Sequence, residues 1–102
     1  MASGSITPFR PTGTASLGAT TSSTAVALAG GGESIVVTNT TASLAYIRFG
    51  ADPSVSASGS DMPVLPNARV MLGVNDLVRY AAAVLVSGNG TILFTRGDGS
   101  YA

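Results

Sequence analysis

The stretch that decides the fold is Asp76–Asp98, with the sequence DLVRYAAAVLVSGNGTILFTRGD. Two apolar runs flank Ser87–Gly90, and because Gly and Asn accept positive φ at low cost, this tetrapeptide suits a tight turn. Before the turn, every second residue of the run is apolar or aromatic and would lie on one face of a strand: Val78, Tyr80, Ala82, Val84 and Val86. After the turn, Ile92, Phe94 and Arg96 alternate with Thr91, Leu93 and Thr95. A period of two predicts strands, so we expect a central antiparallel hairpin that packs the rest of the chain against its apolar face.

The segment Leu77–Val86 also permits a second interpretation, because three consecutive alanines at Ala81–Ala83 favour a helix. The β-branched residues around them and the Gly-Asn-Gly turn favour a strand instead. We therefore predict a strand here.

Upstream of this hairpin, further short apolar segments alternate with turn signals. Strands are predicted at Thr24–Ala29, Glu33–Asn39 and Ser43–Phe49, and the spacing of the last two suggests a second hairpin. Gly50–Asp61 is a polar loop. In Met62–Leu72, two prolines exclude a central strand for the first half, whereas the end can form a short strand at Arg69–Leu72. Short strands with frequent turns indicate an all-β fold, a small antiparallel β-sandwich or barrel.

The first 23 residues differ from the rest in being rich in Gly, Ser, Thr, Ala and Pro. This composition predicts an extended N-terminal arm at residues 1–23, ahead of a β-sandwich domain at residues 24–102. We expect the arm to become ordered against a neighbouring chain. Its candidate contact residues are Ile6, Phe9, Arg10 and Leu17.

The composition argues against several classes of function. Net charge is zero and charged residues make up 10% of the chain, against about 25% in ordinary domains, so neither a nucleic-acid-binding nor a membrane-binding patch is expected. Because the chain has no His, Cys or Lys, we expect no activated nucleophile, no metal site and no cofactor, and hence no enzyme. The N-terminus has no secretory signal pattern, so export by that route is not expected.

Short motifs in the chain are explained more simply by turns and strand ends. Arg96-Gly97-Asp98 spells an integrin-recognition tripeptide, but Gly97 reads as the end of a strand. Asn39-Thr40-Thr41 matches the glycosylation acceptor pattern, and we interpret it as a turn. Gly30–Glu33 matches no phosphate-binding pattern. The scattered carboxylates are predicted to form turns: Asp52, Asp61 and Asp76.

Three arginines lie within or beside predicted strands and are candidate interface residues: Arg48, Arg79 and Arg96. One possibility is that they lie on the solvated face of a sheet. The other is that they pair with carboxylates of a neighbouring subunit, where the bidentate geometry of Arg is favourable. The sequence does not choose between the two.

The segments IVVTNTTASLAYIRFGAD, MPVLPNARVMLGVND and VRYAAAVLVSGNGTILFTRGDG together resemble small virion proteins of tailed bacteriophages, across roughly Ser34 to Gly99. The resemblance implies a jelly-roll or related β-sandwich of about six to eight short strands. Eight strands would be tight in the residues after the arm, so six or seven are expected.

The same resemblance implies a structural role in the virion, after synthesis in the host cytoplasm. The expected role is capsid decoration or cement, with a neck, tail or fibre component as the alternative. The implied partners are capsid or neck proteins and further copies of the chain, with a trimer favoured. A small carbohydrate-binding β-sandwich is a different class of function that the sequence also permits.

Overall fold

The computed structural model describes residues 10–74 and 77–98. These residues form eight β-strands and no helix. The strands are β1 (Arg10–Ala19), β2 (Thr24–Ala27), β3 (Ser34–Asn39), β4 (Ala45–Gly50), β5 (Met62–Val64), β6 (Arg69–Gly73), β7 (Tyr80–Leu85) and β8 (Gly90–Asp98). The predicted all-β fold is thereby confirmed.

The strands form two four-stranded antiparallel sheets. The first sheet has the order β1-β8-β3-β6, and the second has the order β2-β7-β4-β5. Strand pairs are nested along the chain, since β1 pairs with β8, β2 with β7, β3 with β6 and β4 with β5. This nested order, wrapped into two facing sheets, is the strand order of an eight-stranded jelly roll.

Both predicted hairpins are wrong, although their strands are present. β7 and β8 lie in different sheets, and so do β3 and β4. The turns therefore carry the chain from one sheet to the other, with Gly88 at φ 70° in the second of them. The Ser43 hydroxyl donates to the carbonyl of Ser87 at 2.7 Å, which joins the two crossings. Alternation predicts strands, but a turn sequence does not say whether its strands share a sheet.

The prediction for the proline-rich segment is confirmed. β5 contains Pro63 and lies at an edge of the second sheet, and β6 follows a turn at Asn67, whose φ is 57°. β7 is a strand and not a helix.

The predicted arm requires correction, because residues 10–19 are the first strand of the domain. β1 pairs along its length with β8, and its inward side chains are buried: Ala15, Leu17 and Ala19. The domain therefore includes residues 10–23, which the sequence placed in the arm, and residues 1–9 lie outside the described residues. β1 lies at an edge of its sheet, where small side chains pair well although they bury little apolar surface. Its composition therefore resembles that of a disordered segment. β1 also brings the strand count to eight.

The core lies between the sheets and centres on Phe94 and Ile92 of β8, which are fully buried. Phe94 meets Phe49 edge-on, with ring centroids 6.1 Å apart and an interplanar angle of 83°. The other large buried side chains include Ile35, Val37, Ile47 and Val64. β7 contributes the three residues that point inward from this strand, Ala81, Ala83 and Leu85.

Phe94→Ala should lower the free energy of unfolding by roughly 3–5 kcal/mol, the usual cost of truncating a core Phe. Leu93→Ala is the matched control, because Leu93 is the next residue on β8 and faces outward, half-buried. It should cost about 1 kcal/mol or less. Equilibrium urea unfolding of both variants provides the measurement, and a larger loss for Leu93→Ala would contradict the assigned inward face of β8.

Candidate assembly surface

The outer face of the second sheet is largely apolar. Residues directly opposite each other in an antiparallel pair share a face, and Ala45 and Ile47 point inward, so the next residue, Tyr46, points outward. The register then places a set of outward residues on neighbouring strands: Ala25, Ala27, Tyr46, Arg48, Pro63, Tyr80, Ala82 and Val84. We call this set the second-sheet outer face.

One end of this face exposes large apolar side chains. Tyr46 lies opposite Val84 on one side and Pro63 on the other. Leu65 and Val86, just beyond β5 and β7, are 66% and 56% exposed. Contiguous exposed apolar surface on a soluble domain commonly marks an interaction site.

The centre of the face is closely covered. Ala82 points outward and is nevertheless 0% exposed. It lies opposite Arg48 on one side and Ala25 on the other.

Charge on this face is balanced within the domain. Arg48 is exposed, and its guanidinium lies 3.7 Å from the carboxylate of Asp61 on the adjoining loop. The pair leaves the face without net charge, and because Arg48 is exposed to solvent, the ion pair contributes little to stability. An uncharged partner surface is therefore the chemistry that this face matches.

A shallow polar groove of about 350 Å³ adjoins the Arg48 end of the face. Ser54 donates to Asp52 from both its hydroxyl and its backbone N–H, and these bonds lower the pKa of Asp52 from its ordinary value. Asp61 accepts from the N–H of Ser58 at 2.7 Å, so Asp52 and Asp61 form turns as predicted, whereas Asp76 lies outside the described residues. Within the described residues, no three His, Cys, Asp or Glu side chains group as metal ligands would.

The outer face of the first sheet differs in chemistry. It presents hydroxyl side chains on three neighbouring strands, beside the apolar Val36, Leu93 and Met71: Thr14, Ser16, Thr38, Thr91 and Thr95. The hydroxyls of Thr14 and Thr95 lie 2.9 Å apart. A hydroxyl-lined face remains compatible with water, so the second-sheet outer face is the stronger candidate for assembly.

The three candidate interface arginines lie in three different environments. Arg48 is on the second-sheet outer face, and Arg79 is exposed just before β7. For both, an interface role stays a prediction. Arg96 is 2% exposed inside its own domain, so both predicted environments are wrong for it. Its Nε donates to the carbonyl of Gly32 at 3.1 Å and its Nη1 donates to the carbonyl of Val78.

The four residues predicted to form contacts of the arm also lie in different environments. Leu17 is buried in the core of its own domain, which corrects its assignment to a neighbouring chain. Arg10 is exposed at the start of β1, opposite Asp98, and its role as a contact stays a prediction. Ile6 and Phe9 lie outside the described residues.

Neither recognition motif is presented to solvent. Within Arg96-Gly97-Asp98 the first two residues are buried in β8, so the tripeptide is not displayed as a loop. Asn39 is buried as well, and its amide donates to three backbone carbonyls, those of Ser43, Val64 and Leu65. Asn39 ends β3, and its Oδ1 accepts from the N–H of Thr41, so the motif leads into the turn that was predicted after this strand.

The sequence reasoning missed Tyr46, Tyr80 and Val84 as surface candidates. The available signal is that β7 is apolar on both parities, whereas an antiparallel strand with one solvated face normally alternates apolar and polar residues.

Arg96→Met should lower the free energy of unfolding by about 1–3 kcal/mol, because the carbonyls of Gly32 and Val78 lose buried donors. Arg48→Met is the control, and since Arg48 is exposed the change should stay within about 0.5 kcal/mol. Thermal and urea unfolding measure both. Equal costs for the two variants would show that Arg96 does not join these loops.

None of the residues that the structure describes belongs to a helix long and apolar enough to cross a membrane. Comparison of the chain with protein-family models, curated proteins and solved structures found no match.

Proposed function

We propose that this protein is a structural protein of a bacteriophage virion, a decoration or cement protein that binds the assembled head through its second-sheet outer face. The observation that carries the proposal is the apolar, charge-balanced character of that face. The resemblance of Ser34 to Gly99 to small phage virion proteins supports it. Jelly rolls also occur among viral capsid proteins, lectins and cupins, so the fold is compatible with this role without selecting it.

The proposed mechanism is binding energy without chemistry. Apolar area removed from water contributes roughly 25 cal/mol per Å² before the costs of association are subtracted. The contact residues lie on strands and not on mobile loops, so little conformational entropy is lost on docking. Because Arg48 is paired with Asp61, attachment should depend only weakly on salt concentration.

The partners proposed are capsid proteins of the same virion, with neck or tail proteins as the alternative. A flat, rigid face suits the broad surface of an assembled head better than a narrow channel or fibre tip. The protein is proposed to act as a homo-oligomer, as the resemblance implies.

A carbohydrate-binding role is the second candidate, and one observation favours it. Tyr46 and Tyr80 lie on the same outer face, one opposite Val84 and the other opposite Gly50. Aromatic rings on a flat sheet can stack on sugar rings through their apolar faces. A glycan array probed with the full-length protein and with Tyr46→Ala distinguishes this role from head binding.

Val84→Lys should weaken binding to heads of the encoding phage assembled without this protein by at least about tenfold, because a charge is then buried at the contact. Val84 is half-buried opposite Tyr46, at the end of the face that exposes large apolar side chains. Titration of such heads with labelled protein, read by co-sedimentation, measures the effect.

Leu93→Lys is the matched control, since Leu93 is likewise a half-buried apolar residue, on the outer face of the first sheet. It should leave head binding unchanged. Equal binding by Val84→Lys and the unmodified protein would overturn the assignment of this face. Failure of the unmodified protein to bind heads, combined with specific glycan binding lost in Tyr46→Ala, would favour the second candidate.

A further inference from the structure

β6 is an edge strand, since no strand within residues 10–74 and 77–98 pairs with its outer side. The N–H of Asn39 donates to the carbonyl of Ala68, and the N–H of Val74 donates to the carbonyl of Glu33. In an antiparallel ladder, bonded residues alternate along the strand. With the observed register, Val70 and Leu72 therefore face β3, and the backbone groups of Met71 and Gly73 face the free edge.

Two of the other edges are protected by common devices. β5 has only three residues, and the one whose backbone faces outward is Pro63, which has no N–H to offer. β2 has only four residues. Short strands and prolines are standard means of blocking edge pairing.

The remaining edge, β1, is longer but polar. The N–H of Thr40 donates to the carbonyl of Thr91, so Ile92 and Phe94 face β1, and Leu17 and Ala15 face them in return. Thr14 and Ser16 then face the free edge. The inward side chains of β1 are already buried, so a strand added there would gain little apolar contact.

Around β6, by contrast, the apolar side chains are incompletely covered. Val70 and Leu72 point inward and pack against the core, yet both are only half-buried, and so is Met71 on the outer side. Met62, at the edge of the facing sheet, is 43% exposed. A strand added to β6 would bury this apolar surface and satisfy the free backbone groups at once.

We propose that β6 pairs with β6 of a second copy of this chain, antiparallel about a two-fold axis centred on Met71. Met71 then exchanges both backbone hydrogen bonds with Met71 of the second copy. Val70 lies opposite Leu72 of the second copy, and Arg69 lies opposite Gly73. The first sheets of the two copies join into one continuous sheet across the axis.

A second copy fits this edge because the strand is self-complementary. The two-fold register places Arg69 opposite a glycine and sets the two Arg69 side chains at opposite ends of the pair, so like charges do not meet. The inward apolar side chains Val70 and Leu72 cover each other across the axis. The chain has no net charge, so two copies are not repelled at long range.

This contact closes after one partner is added. Each copy uses its β6 edge once, so the product is a dimer, in place of the trimer that the resemblance favours, and not a filament. The second-sheet outer face lies on the other sheet and remains uncovered. Pairing through β6 does not require the virion role, and it would hold if head binding failed.

The test is Met71→Pro in the full chain, with the association constant measured by sedimentation equilibrium. Proline removes an N–H that makes no bond to β3, so the domain itself should stay folded. The dimer dissociation constant should rise at least about tenfold, the loss expected when the two central backbone bonds disappear. Amide exchange of the unmodified protein should show Met71 protected at high concentration and exposed on dilution.

Ser16→Pro is the matched control, because it removes an outward-facing N–H from the β1 edge and should leave the dimer unchanged. Met71→Lys is the second variant; it places two ammonium groups opposite each other at the axis and should also abolish dimerisation. A monomer at millimolar concentration, a trimer, or a dimer that survives both Met71 variants would overturn the proposal. A dimer weakened by Ser16→Pro instead would place the contact on β1.

Discussion

Pairing of β1 with β8 joins the beginning of the described chain to its end, and the rest of the sandwich depends on it. β8 carries Phe94 and Ile92, the centre of the core, and it needs a hydrogen-bonded neighbour on each side. The fit is close where the two strands meet, since a Cβ added at Gly97 would lie 2.2 Å from the carbonyl oxygen of Arg10. With β1 and β8 joined, β2 can pair with β7, and the remaining pairs nest inside.

Much of the fold could be predicted because its signals are local. The alternation through Ile35–Val37 and Ile92–Phe94 marks strands that cover a core, and Pro63 marks an edge. The pairing of β1 could not be predicted, because its partner lies near the other end of the chain and its small residues resemble a linker. The sheet membership of β7 and β8 was also hidden, since Gly88 permits a turn within one sheet or between two. Arg96 was misassigned because two of its partners are backbone carbonyls, which leave no pattern in a sequence.

The second-sheet outer face and the β6 edge, the two surfaces assigned to interaction, both result from the small number of charged side chains in the domain. The domain has few ionised groups. It buries one of them, Arg96, to hold the loops at Gly32 and Val78, and it pairs another, Arg48, with Asp61. The second-sheet outer face and the β6 edge are consequently left apolar. The first offers a flat face and the second offers free backbone groups with apolar flanks, so they suit different partners and can be occupied together. In the sequence, the only signal for the first surface was that β7 carries apolar residues on both of its faces. The second surface, the β6 edge, depends on which amides of β6 face outward. Only the strand register in the structure shows this.

The central claim is that residues 10–19 are the first strand of the domain. Native-state amide exchange across this segment of the full-length protein tests it most directly. The ladder with β8 predicts an alternating result: the amides of Ala15 and Leu17 are protected to the level of the core, and those of Thr14 and Ser16 exchange rapidly. The alternation arises because only the first two donate to β8. Uniform exchange of all four amides at the rate of an unstructured peptide would contradict the account, since it would return the segment to an arm outside the domain.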